Sequence, residues 1–249
     1  MAKKTLKTLR HFDKLSVVLS KVEGRQAQGL YPERSRRIKR GIFITFEGGE
    51  GSGKTTHSRL LYEYLRRRSH DCIYTREPGG TKLGELIRSV LLKSDGVDIC
   101  DLTELFLFEA SRSQLVEEVI SPALAQKKIV ICDRFNDATY SYQGYGGKVP
   151  IATIRALDNV SRGKLRPDLT ILLDIDTTTG LRRAGKKGSD RMETKDLAYH
   201  KRVRKGYLKL AKKEPRRIKV IKVAGGIDET QALVRREAEL VIQRYKRTG

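Results

Sequence analysis

The chain has 249 residues, enough to bury one full α/β core, with 38% hydrophobic and 33% charged residues and a formal net charge of +22. No apolar run approaches the ~20 residues of a membrane span, and three cysteines (Cys72, Cys100, Cys132) form no C-x-x-C pair, which suits a reduced cytoplasm rather than a disulfide-stapled secreted class. The charge divides into +9 over residues 1–40 and +13 over the other 209, a balance that favours polyanions such as nucleotides, nucleic acid or acidic lipid; a lineage with a basic proteome gives the same sign without any such partner.

Residues 1–40 carry few apolar side chains and no sustained period, so they read as a basic, disordered extension ahead of a domain over 41–249. The apolar patch Leu15–Leu19 is short, and no small-residue cleavage site follows it, so no signal peptide is expected. Aromatic residues do not interleave with the basic ones, so nucleic acid is not the expected partner.

From Gly41 the pattern alternates between strands and helices. Ile42–Glu47 reads as the first strand. Gly48-Gly49-Glu50-Gly51-Ser52-Gly53-Lys54-Thr55 then spells G-x-x-x-x-G-K-T, and Thr56 continues into an amphipathic helix, Thr55–Arg68. The spacing has a chemical reason. Triphosphate oxygens need many N–H donors at close range, glycines let the backbone approach, and the helix N-terminus faces the anion. Lys54 would reach the outer phosphates, and the Thr55 hydroxyl would hold Mg2+.

Further strands are expected at Cys72–Thr75, Ile129–Cys132, Leu169–Leu173 and Ile218–Val223. Helices are expected at Lys82–Leu92 (burying Leu83, Leu86, Ile87 and Leu91), Leu102–Ala125 as one helix or two, Ile151–Asn159 and Tyr199–Lys212, with a closing helix capped by Asp228 and Gln231 as a capping box. Strands this apolar are covered on both faces. The expected fold is therefore α/β: a five-stranded parallel sheet with helices on both faces, with ligands at the carboxyl ends of the strands.

The residues at those ends carry the chemistry. Thr75-Arg76-Glu77-Pro78-Gly79-Gly80-Thr81 follows the second strand. Asp133-Arg134-Phe135 follows the third, with Thr139 and Tyr142-Gln143-Gly144 downstream. Phe108 and Arg112, spaced i, i+4, share one face of the long helix. Arg76 and Arg134 place guanidinium groups, which bind phosphate bidentately, at strand ends; a plain surface arginine or an ion pair with Glu77 or Asp133 is the alternative for each. Taken alone, Phe108 reads more often as a core residue than as one that meets a ligand. Asp133 can orient Mg2+, or it can cap a helix or partner Arg134.

Together, T-R-E-P-G-G-T, D-R-F with a downstream Y-Q-G, F-x-x-x-R and the Glu-bearing phosphate loop resemble the thymidylate kinase family over roughly residues 41–245. The resemblance implies a phosphate-loop kinase of the nucleoside monophosphate class that uses ATP and dTMP with Mg2+, works in the cytoplasm and forms a homodimer. It implies that Arg76 and Arg134 bind the dTMP phosphate, Phe108 stacks on thymine while Arg112 donates to a carbonyl, Thr139 and Gln143 reach the polar edge of thymine, Tyr142 crowds C2′ and Glu50 holds the 3′-hydroxyl. It also implies a mobile lid over about 180–195, ending in Asp190-Arg191-Met192-Glu193. The loop segment Glu50-Gly51-Ser52 contains no arginine, so the transition-state cation falls to the lid, where Arg183 with Lys187 is the expected source. Gly185 and Lys187 stand where the family commonly has arginine. A phosphate-loop ATPase driven by nucleic acid is the rival reading, and it leaves the T-R-E-P-G-G and Phe108/Arg112 features without a use.

Overall fold

A computed structural model describes residues 40–92, 98–185, 191–192 and 194–247. The basic extension lies outside the described residues except for its last residue, Arg40, which donates to Asp168 at 2.9 Å. The strands are β1 (Ile42–Glu47), β2 (Cys72–Arg76), β3 (Ile129–Asp133), β4 (Leu169–Asp174) and β5 (Ile218–Lys222). All pair in parallel, in the order β2-β3-β1-β4-β5. The helices are α1 (Lys54–Arg67), α2 (Lys82–Leu92), α3 (Asp101–Leu115), α4 (Ser121–Ala125), α5 (Asn136–Thr139), α6 (Ile151–Arg162), α7 (Thr177–Ala184), α8 (Leu197–Lys213) and α9 (Ile227–Arg247).

The central strand shows why the sheet is covered twice. Its six residues are all buried, and the pleat sends them alternately to two cores. Ile42, Ile44 and Phe46 meet Leu61 and Leu65 of α1 and Val234, Ala238 and Val241 of α9. Phe43 points the other way, to Leu115, Val116, Ile120 and Phe135. Each fully buried side chain of this size contributes about 1.5–3 kcal/mol. On that second face, Tyr199, Val203 and Tyr207 of α8 pack on Leu172 and Tyr142.

The expected long helix is a single run in which α3 passes through a π-helical stretch, Val116–Ile120, into α4. Pro122 lacks the N–H that would bond the carbonyl of Glu118, and the widened turn stands where that bond would fall. Tyr140–Gly146 is also π-helical.

Two expectations fail. Leu83 and Leu86 of α2 are 47% and 66% exposed, while Leu91 is buried. Helical period identifies an apolar face but not what covers it. The capping box is absent: α9 begins at Ile227, Thr230 N bonds Gly226 O, and the Gln231 side chain is buried against His57 Nδ1 at 2.8 Å.

The register sets up the site. Arg76 pairs with Asp133, and Asp133 with Phe46, so three adjacent strands end in one row, with the phosphate loop continuing from the central one.

Candidate active site at the carboxyl edge of the sheet

The loop after β1 needs backbone that only glycine adopts cheaply: Gly48, Gly51 and Gly53 have φ of 146°, 63° and 87°. Lys54 folds back over the loop, donating to Gly49 O at 2.7 Å, and Ser52 Oγ donates to the same carbonyl at 2.8 Å. Burial, followed by the neighbouring Arg134, pushes the Lys54 ammonium down to about 8. The Thr55 hydroxyl donates to Asp133 Oδ2 at 2.5 Å.

A cavity of about 640 Å³ opens over this loop. One end holds Glu50–Thr56 with His57 and the segment Gly225–Ile227; the other holds Arg76, Arg88, Phe108, Arg112, Thr139 and Gln143. Both expected pockets are therefore one continuous space, large enough for a drug-sized ligand.

Arg134 sits in the left-handed region, φ 69°, which turns its side chain back across β1. Phe46 O accepts from Arg134 N, and the buried Glu47 carboxylate accepts from Phe135 N at 2.8 Å and from the Tyr207 hydroxyl at 2.8 Å, fixing this turn. Glu50 accepts from Arg134 Nη2 at 3.0 Å and from the Tyr142 hydroxyl at 2.5 Å. Burial works against the Glu50 carboxylate, yet Arg134 and Lys54 hold it down at about 2.

Arg112 is 1% exposed, and four of its five N–H donors are engaged, leaving one on Nη1. It donates to Glu77 through Nε and Nη2, to Glu109 through Nη1 at 2.7 Å and to Thr139 through Nη2 at 2.8 Å. Its donors are thus locked in one plane at the wall of the cavity. Arg76 has a looser place: its partner is Glu85 at 3.0 Å, on the rim, rather than Glu77 or Asp133. Gln143 Nε2 donates to Glu104 at 2.8 Å.

Two glycines let the putty-thin contact between the loop and α7 exist. A Cβ on Gly51 would stand 2.0 Å from Gly180 O, and one on Gly180 would stand 2.3 Å from Glu50 O. This packing delivers Arg183 to the cavity wall. Lys187 and the rest of residues 186–190, together with Glu193, lie outside the described residues.

Arg88, the Gly225–Ile227 segment and Glu104 escaped sequence reasoning. Arg88 donates to Pro78 O at 2.9 Å and lines the cavity, but on α2 it looks like any solvated helix arginine. Among the described residues, no group of three or more His, Cys, Asp or Glu could hold a metal ion, so a metal here would rest on few protein ligands and on phosphate oxygens.

The glycine-rich loop ahead of Lys54 and the guanidinium groups of Arg76, Arg88 and Arg134 line the same cavity, donors of the kind that a transfer between two phosphates requires. Such a site on a doubly wound parallel sheet defines a phosphate-loop kinase of the nucleoside monophosphate class. The family model for thymidylate kinase matches residues 46–234. A thymidylate kinase from Geotalea uraniireducens is 45% identical over 201 residues, covering 78% of this chain and 94% of that one. One from Dehalococcoides mccartyi is 48% identical over 176 residues, 71% of this chain and 85% of that one. A crystal structure of thymidylate kinase from Ehrlichia chaffeensis aligns with a TM-score of 0.66 at 38% identity, over 80% of this chain and 98% of that chain. The chain belongs to the thymidylate kinase family.

Proposed function

We propose that this chain transfers the γ-phosphoryl group of ATP to dTMP, giving ADP and dTDP. The observation that carries the reading is the continuity of one cavity from Lys54 and Thr55 to Phe108, Arg112 and Gln143. ATP lies with its phosphates on the Gly48–Thr56 loop, and Lys54 Nζ exchanges Gly49 O for a phosphate oxygen. The dTMP phosphate lies against Arg134 and Arg76. Its base stacks on Phe108 and meets Arg112, Thr139 and Gln143. Glu50 takes the 3′-hydroxyl, and Tyr142, held against Glu50, fills the space beside C2′.

The Thr55 hydroxyl and the Asp133 carboxylate are hard oxygen donors 2.5 Å apart at the loop's mouth, a set that fits Mg2+ better than any softer ion. When bound, Mg2+ neutralises phosphate charge there. The acceptor phosphate has a second pKa near ~6, so it is already largely ionised at neutral pH and needs no general base. The protein's part is alignment and charge. Lys54 and Arg134 flank the path between the phosphates, and Arg183 on α7, with Lys187, supplies the cation that meets the charge of the transferring group.

Leu83, Leu86 and Val90 form a stripe on α2 and are exposed at 47%, 66% and 53%, beside exposed Phe106 (45%) on the contacting helix α3. That apolar stripe supports a homodimer across α2 and α3. Leu86→Glu is expected to halve the mass measured by sedimentation, and an unchanged mass would exclude this interface. Three free cysteines support a cytoplasmic setting, and no described helix is long and apolar enough to cross a membrane.

The function is tested by a coupled assay of ADP release across dTMP, dUMP, dCMP, UMP, GMP and AMP. Turnover highest on dTMP is expected; none on dTMP with turnover on another acceptor would overturn the substrate while leaving a kinase.

A further inference from the structure

Glu104 is 4% exposed and has no place in the phosphoryl transfer described above. Its two oxygens are both engaged. Oε1 accepts from Gln143 Nε2 at 2.8 Å, and Oε2 accepts from Arg191 Nη2. Arg191 is itself anchored at the end of α2: Nε donates to Leu91 O at 2.9 Å, and its backbone N donates to Leu92 O. The carboxylate is thus pinned between the first turn of α3 and Arg191 near the end of the lid segment.

A glutamine side chain offers an acceptor at one end and donors at the other, and a carboxylate takes only the donors. With Nε2 turned to Glu104, the polar atom that Gln143 offers to the cavity is Oε1. Beside it stands Arg112, whose remaining Nη1 N–H, beyond those given to Glu77, Glu109 and Thr139, can only donate. The base wall therefore presents a donor next to an acceptor. Thymine matches that pattern with O4 and N3–H. Cytosine presents the reverse, an amino group toward the guanidinium and a bare N3 toward Oε1, so both contacts fail.

We propose that Glu104 is a positioning residue that sets the hydrogen-bonding sense of Gln143 and thereby makes the pocket select a pyrimidine carrying N3–H over one carrying a bare N3. The proposal rests on the dTMP reading. Arg191 keeps Glu104 in place as an acceptor, so base selection is buttressed by the segment at the foot of the lid. In Glu104→Gln the partner can either accept or donate, and Gln143 can turn its amide by 180° at little cost.

The test is the ratio of kcat/KM for dTMP to that for dCMP in wild type, Glu104→Gln, Gln143→Met and the double variant. Glu104→Gln is expected to narrow the ratio at least tenfold, mainly through a higher KM for dTMP and a lower KM for dCMP. In the Gln143→Met background the same change is expected to leave the ratio where it is. Simple loss of structure would lower both activities together and leave the ratio intact. A ratio within twofold of wild type in Glu104→Gln, or an equal narrowing with and without Gln143, overturns the proposal. A second readout uses wild type alone: the Gln143 side-chain amide protons, assigned by their loss in Gln143→Met, are expected to exchange slowly without ligand. Fast exchange overturns the proposal even where Glu104→Gln does not fold. A wild type inactive on dTMP would instead defeat the functional reading, a result distinct from an active enzyme with an unchanged ratio.

Discussion

The Thr55 hydroxyl donates to Asp133 Oδ2 across 2.5 Å, joining the first turn of α1 to the last residue of β3. Two oxygens from different elements are held there without any metal-chelating cluster among the described residues. Asp133→Asn keeps the shape and removes the charge. It is expected to lower kcat by about a hundredfold and raise the Mg2+ concentration for half-maximal rate, since charge stabilisation at a phosphoryl group carries several kcal/mol. Rate titrations against Mg2+ check this; an unchanged Mg2+ dependence would remove Asp133 from the metal site.

The Gly51–Gly180 contact leads to a second prediction. A Cβ on Gly180 would meet Glu50 O at 2.3 Å, backbone that cannot yield without moving the loop. Gly180→Ala is expected to weaken ATP binding about tenfold or more, because even an ~1 Å misplacement of a positioning element is costly. Arg183→Ala removes the cation without disturbing that contact. Its signature is a fall in kcat of about a hundredfold or more with little change in the KM for dTMP, as for an interaction made only in the transition state. Full activity in Arg183→Ala would show that the cation comes from elsewhere.

Glu50 links the two halves of the cavity, being bound by Arg134 and Tyr142 and held down at about 2. It therefore stays ionised throughout the working pH range. Glu50→Gln takes away the counter-charge of Arg134 and the proposed acceptor for the 3′-hydroxyl. The KM for dTMP is expected to rise about tenfold, the worth of one good charged hydrogen bond, while 3′-deoxy-dTMP loses much less. Equal losses on both would separate Glu50 from the sugar.

Lys54 gives the pH dependence. Burial first, and Arg134 second, push its ammonium down to about 8 in the free enzyme. Phosphate oxygens favour the charged form, so ATP binding raises this value and takes up a proton wherever free Lys54 is neutral. Affinity for ATP is therefore expected to fall as pH rises above about 8, by at most tenfold per pH unit, with no contribution from this group at pH 6.5. Calorimetry at pH 8.5 in buffers of different ionisation enthalpy reads the proton uptake directly, and proton release would contradict it.

The sheet and its ends were legible because their signals are local. Six buried residues of β1 announce a strand covered twice, and the glycine spacing after it dictates left-handed backbone at Gly51 and Gly53. What escaped depends on convergence in space. Arg112 was expected at a base, yet nothing in its own helix says that Glu77 would reach it from β2's loop while Thr139 met it from α5. Glu104 and Arg88 look like ordinary helix charges until the fold brings Gln143 and Pro78 against them. Leu83 and Leu86 follow the helical period of a core face but point outward. Gln231 fits a capping box by spacing, yet His57 of α1 claims it.

The most direct test is the acceptor panel at fixed ATP and Mg2+, read as kcat/KM for each nucleoside monophosphate. A cavity walled by Phe108, Arg112, Thr139, Tyr142 and Gln143, with Tyr142 in its proposed place beside the sugar, predicts dTMP first, dUMP behind it, and UMP and the purine nucleotides far below. Comparable values for UMP or AMP, or no turnover of dTMP, would contradict it.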